Sequence, residues 1–227
     1  MKKSFWIALG LVTSGYADEI EKEKASWEVT CEVFSLPLME AAKMKRSGES
    51  DAKDYARLVK LLKSGKVAQE EFLILRTSSN FEVVMEDAVE VIHPNEYEPP
   101  ELPNQVGTGV APPNFSGPLV TPALPSAFDT RRVGNTMEVE LEELKEGQLN
   151  LALTLSLVSD LGRQIWGQGK SEAEMPRFAV QRLQTDFELA VDTPTLLGSI
   201  SPPEALQPKD GMKRVWFAFV IVSEASE

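Results

Sequence analysis

The chain is poor in the residues that usually carry chemistry: it has one cysteine and one histidine. Cys31 alone cannot form a disulfide within the chain. It lies in an alternating run, Trp27 to Val33, where a buried and inert thiol is expected. A lone His93 rules out a zinc site built from several His and Cys ligands of one chain. A Ser-His-Asp triad would have to use His93, yet no Gly-x-Ser-x-Gly turn is near it. Glycine-rich phosphate loops and dinucleotide fingerprints are also missing. The expectation is therefore a protein that is not an enzyme, with no catalytic, cofactor-binding or metal-ligating residue and no cofactor.

Positive charge is scarce as well. The 23 Lys and Arg face 35 Asp and Glu, for a net charge of -12. Such a chain repels nucleic acid and anionic headgroups, so nucleic acid is not expected as a partner; no motif points to a small-molecule substrate, and association with the outer membrane stays open. The acidic residues alternate with apolar ones and form no solid run. Glu138, Glu140 and Glu142 share one strand face, where solvated carboxylates are expected in preference to a weak calcium site. Past the N-terminus, no apolar stretch is long enough for a membrane-spanning helix.

The N-terminus itself has an export pattern. Lys2 and Lys3 precede an apolar run, Phe5 to Val12, and Gly15-Tyr16-Ala17 offers small residues where a signal peptidase reads. Residues 1–17 are expected to be a signal peptide, with the mature chain beginning at Asp18.

Periodicity then predicts the elements. Residues 27–36 read as a strand, followed by a short helix from Pro37 to Arg46 and a second from Asp51 to Lys63. Tyr55, Leu58, Val59 and Leu62 give that second helix one apolar face. From Val67 the period changes to two. Phe72–Leu75, a turn at residues 77–80, and the alternating run from Phe81 to Val91 read as a hairpin. Met137, Val139 and Leu141, a turn at Glu146-Gly147, and Leu149 through Leu157 read as a second hairpin with a leucine face inward. Residues 162–176 read as a polar loop. Strands follow at 178–191, 195–200 and 213–222, the last apolar on both faces.

Between the two hairpins, residues 94–125 hold nine of the fifteen prolines. This composition predicts neither helix nor central strand. The segment is read as an insertion longer than a hairpin needs, and loops on a rigid scaffold often meet partners. Tyr97, Leu102, Phe115 and Leu119 are its candidate partner-binding anchors.

The expected fold is α+β and mostly β: an antiparallel β-sheet module with long hairpins and two short N-terminal helices. Residues 18–66 form the strand and two-helix segment. Residues 67–227 form the β module with its Pro-rich insertion.

Three stretches within this order carry a resemblance to a known family. Phe128 to Glu140, with Val133-Gly134, resembles the segment that opens a long hairpin in the C-terminal module of secretins. Val191 to Ile200 resembles their Asp-Gly-Gln-Thr-Val-Val-Leu-Gly-Gly-Leu segment, with Ser199 in place of the second glycine. Lys213 to Val222 is similar to their closing strand, with Ser223-Glu224 in place of Thr-Pro. Upstream, Glu70 to Val91 resembles the strands before the gate region, which places residues 94–125 at the gate.

Secretins are ring-forming outer-membrane proteins of type II and III secretion and type IV pilus systems. The resemblance implies a short secretin-like structural or assembly protein of the periplasm or outer membrane. Its partners would be copies of itself or secretion and pilus components. The alternative is a monomeric periplasmic binding or scaffold domain without channel function.

Overall fold

The computed structural model describes residues 26–101, 121–145, 147–209 and 211–225. The expected signal peptide, together with Asp18, lies outside them. The described elements run β1 (Ser26–Pro37), α1 (Leu38–Arg46), α2 (Asp51–Lys63), β2 (Ala68–Ser78), β3 (Glu82–Glu98), β4 (Leu124–Glu143), β5 (Gln148–Trp166), β6 (Ala173–Ala190), β7 (Thr195–Ile200) and β8 (Arg214–Glu224). The mostly-β fold with two short N-terminal helices is as expected. The strands make two antiparallel sheets, in the orders β2-β1-β8-β7 and β3-β4-β5-β6.

The sheets face each other across the main core. Val29, Cys31 and Val33 of β1 join Ala218, Val220 and Val222 of β8 on one side. Met137, Val139 and Leu141 of β4 join Leu151, Leu153 and Leu155 of β5 on the other. The opposite face of the first sheet is covered by the helices. Phe34, Leu36, Phe217 and Phe219 pack there with Met44 and Leu58. This is why β8 is apolar on both faces: one parity enters each core.

The helices are fixed by charge and by two polar contacts to the sheet. Lys45, near the end of α1, donates to Asp51 and Asp54 at the start of α2, 3.1 and 2.9 Å away. Asp51 also accepts the Leu196 backbone N–H at 3.0 Å, which ties α2 to β7. Tyr55 packs edge-on to Phe34 and donates its hydroxyl to the buried carboxylate of Glu32. Gln69 donates to the other oxygen of that carboxylate at 2.8 Å, so the buried acid is satisfied.

Three expectations are corrected. First, β2 and β3 do not form a hairpin. β2 pairs with β1, and β3 pairs with β4 in the other sheet. Leu73 and Leu75 of β2, and Val83 and Met85 of β3, face the same core from opposite layers. The chain crosses between layers at Asn80, with φ of 64° and its N–H donated to Leu141 O at 2.7 Å.

Second, residues 162–176 are mostly strand. β5 reaches Trp166 and β6 starts at Ala173. Gly162 interrupts the alternation next to a register shift between Asp160 and Arg163, which hid the continuation.

Third, strand enters both ends of the Pro-rich segment. Pro94 and Pro125 both lie in the β3–β4 ladder, Pro94 beside a shift in its register. Each occupies a stretch of strand with a neighbour on one side only, where a missing N–H is tolerated.

Candidate assembly surface

The second sheet is longer than the core it covers. β3 and β4 pair from Glu82 opposite Glu140 as far as Glu98 opposite Leu124. β5 and β6 pair from Gln148 opposite Ala190 as far as Trp166 opposite Ala173. β4 and β5 pair only between Glu143 opposite Leu149 and Gly134 opposite Val158. Beyond that point the sheet divides into two hairpin arms.

Gly134 sits at the division, with φ of 141°. A Cβ there would lie 2.2 Å from Asp87 O and 2.7 Å from the Ala88 Cα. Only glycine permits this approach of β4 to β3.

The arms meet again near their tips. Tyr97 donates its hydroxyl to Glu174 O at 2.6 Å, and the Ala123 N–H reaches Lys170 O at 2.7 Å. The His93 and Phe178 rings are 5.5 Å apart. On the outer face of the sheet, where the arms begin, is a cleft of about 610 Å³. Arg131, Arg132, Gly134, Val158 and Arg182 are among its lining residues. Arg132 pairs with Glu86 at 3.1 Å and reaches Glu90 at 3.8 Å. Toward the core end, the same face is acidic, with Glu82, Glu138, Glu140 and Asp186 around a second hollow.

Apolar side chains stand free along the arms. Val89, Ile92, Phe128, Ile165, Trp166 and Val180 are 48–70% exposed. β3 and β6 are the edge strands, each with one neighbour in the ladder. Long unpaired edges beside exposed apolar residues are the usual marks of a surface that pairs with protein.

Of the expected anchors, Tyr97 is at the tip of the β3–β4 arm, half-buried by its bond to Glu174. Leu102, Phe115 and Leu119 lie outside the described residues. His93 is half-buried, with Nδ1 3.2 Å from the Pro94 carbonyl oxygen. Cys31 is fully buried, and burial beside Glu32 and Glu71 pushes its thiol up to about 12. Among the described residues, no helix is long and apolar enough to cross a membrane. The sequence reading missed Ile165 and Trp166, because Gly162 and Gly167 flank them and read as loop.

No protein-family model and no curated protein sequence matches the chain. Solved structures do match. The secretin domain of InvG from the Salmonella SPI-1 injectisome is similar at 11% identity and a TM-score of 0.44, over 90% of this chain and 64% of that one. The type IV competence pilus secretin PilQ of V. cholerae is similar at 11% identity and 0.48, over 92% and 63%. The type II secretin GspD of enteropathogenic Escherichia coli is similar at 10% identity and 0.46, over 90% and 70%. The chain thus spans less than two thirds of the InvG and PilQ chains. All three are secretins, the family that the sequence motifs resemble.

Proposed function

We propose that this chain is an exported, non-enzymatic, secretin-like structural protein of a bacterial cell envelope. It assembles through its hairpin sheet with copies of itself or with components of a secretion or pilus apparatus. The observation that carries this reading is the division of the second sheet into two arms. Edge strands of 17 and 18 residues have one neighbour each, and large apolar side chains along them are uncovered. An isolated protein gains nothing from such edges, which invite aggregation unless a partner strand covers them. The motif around Val133-Gly134 supports the same reading, because its glycine is the residue that lets β4 press on β3 where the arms begin. The N-terminal pattern supports export. The Pro-rich segment joins the two strands of the β3–β4 arm, and its apolar residues Tyr97, Leu102, Phe115 and Leu119 are the anchors we assign to a partner.

The test is recovery of the chain from the envelope of an expressing bacterium, with N-terminal sequencing and native mass with and without detergent. A chain beginning at Asp18, in a complex several times its 25.1 kDa precursor mass, is the expected result. A monomer in every extract, with no co-purifying protein, would overturn the assembly reading in favour of a periplasmic binding or scaffold domain.

A further inference from the structure

Charge is not spread evenly over the three layers. Residues 38–66, which hold both helices, carry eight Lys and Arg against four Asp and Glu, in a chain whose net charge is -12. The four acids of this layer are taken up by pairs within it: Glu40 by Arg57, Glu49 by Lys53, and Asp51 and Asp54 by Lys45. Lys43, Arg46, Lys60, Lys63 and Lys66 are exposed and, among the described residues, make no ion pair.

The lysines at the end of α2 stand beside uncovered apolar groups. Lys45 bonds Asp51 and Asp54, and Arg57 reaches Glu40 at 3.7 Å, so the two helices run antiparallel. The start of α1 therefore lies against the last turn of α2, which carries Lys60 and Lys63. Leu38 and Met39 at that start are 47% and 77% exposed, although Ala41 and Met44 of the same helix are buried. The Leu38 N–H is donated to Lys213 O at 2.8 Å, which brings the exposed Lys213 to the same corner.

We propose that this corner of the helix layer docks on an anionic phospholipid surface, with Leu38 and Met39 entering the headgroup region and Lys60, Lys63 and Lys213 facing the lipid phosphates. Flexible apolar side chains ringed by unpaired lysines complement such a surface in both respects. The apolar groups are Leu and Met and not the aromatic anchors that dominate contacts between proteins, so lipid suits them better than a protein pocket. The net charge of the chain does not oppose this contact. Glu82, Glu138, Glu140 and Asp186 lie on the outer face of the second sheet, at the far side of the molecule. Packed layers are about 10 Å apart, so roughly 20 Å separates those acids from the helices. The screening length at physiological salt is about 8 Å. A nearby surface therefore meets the lysines as a local positive patch. This contact uses the face turned away from the hairpin sheet, so it stands or falls independently of the assembly proposed above.

The test is co-sedimentation with vesicles, using the chain recovered from the envelope and variants made in that same chain, so that the N-terminus is common to all. Vesicles of phosphatidylglycerol mixed with phosphatidylcholine should bind it, and vesicles of phosphatidylcholine alone should not. Each lysine near an anionic surface is worth roughly fivefold in partition, so K60Q/K63Q should weaken binding by roughly tenfold or more with an unchanged melting temperature. Met39→Ser should weaken it as well, whereas K145Q, at the β4–β5 turn, should bind like the parent. Met39→Cys with a polarity-sensitive dye locates the contact, because the buried Cys31 thiol does not compete for the label. The dye emission should shift to the blue on the anionic vesicles only. Equal binding by the parent and K60Q/K63Q would overturn the proposal. So would a parent that binds both kinds of vesicle alike or neither, or a dye that stays in water. Loss of a co-purifying acidic protein from K60Q/K63Q, with vesicle binding kept, would give the patch to a protein partner instead.

Discussion

Along β5, Leu149 to Leu157 are buried beneath the first sheet, whereas Ile165 and Trp166 farther along the same strand are 64% and 56% exposed. The same contrast holds across the second sheet. Its near half packs Met137, Val139, Leu141 and the leucine face against β1 and β8. Its far half continues the β3–β4 and β5–β6 ladders, and among the described residues no second sheet packs on it. Backbone pairing therefore extends each hairpin past the core, and Val89, Ile92, Phe128, Ile165 and Trp166 there stay exposed among the described residues. Half of the sheet is fold, and the other half is surface.

This division can be broken from the core side first. Leu153→Asp puts a carboxylate without a partner at a position that is 1% exposed. Loss of at least about 4 kcal/mol, or no folded protein at all, is expected in a urea titration. A wild-type midpoint would show that the leucine face is not core.

The boundary between the halves is next. Gly134→Ala forces a side chain onto the backbone of Asp87 and Ala88. A cost of about 2–4 kcal/mol is expected, with the β3–β4 arm displaced. An unchanged melting temperature would mean that the strands can separate there freely.

A smaller effect comes from pH. The folded-state pKa of Cys31 is raised to about 12 from an ordinary 9.0, chiefly by burial. The unfolded thiol ionises first as pH rises, so the folded chain loses stability above pH 9.0. By about pH 10 the loss is on the order of 1 kcal/mol, and Cys31→Ala should remove that part of the alkaline slope. Equal slopes for the two proteins would show that the thiol is not held in the core.

The smallest effect is expected at the arm tip. Trp166→Ala should change the stability of the free chain by less than about 0.5 kcal/mol. It should instead weaken whatever assembly the arms make. A large fall in the stability of the isolated chain would show that the arms belong to the core after all.

Much of this was legible in the sequence. Period two over Leu149–Leu157 and the two-faced apolar run of β8 located the core strands, because alternation registers burial directly. α2 was legible from end to end, since Asp51 opens it and Gly65, with φ of 71°, follows its close. The arms were not legible. Pro94 and Pro125 are local signals for turns that a strand with one neighbour accommodates, and Gly162 sits in a register shift between Asp160 and Arg163. Tyr97 was read as an anchor, but its bond to Glu174 links positions 77 residues apart, which no local pattern reports.

The sequence by itself determined the two helices, the core stretches of the strands with the face of each that is apolar, and that chemistry-bearing residues are few. Alternation and composition are local, and local geometry converts them into elements. Only the tertiary structure decided which strands are neighbours. β2 and β3 are adjacent in the chain and share a period, yet they lie in different layers because each buries its apolar parity against the other sheet. Pairing partners follow from how the whole set of apolar faces is buried at once, and that is a property of the packed molecule.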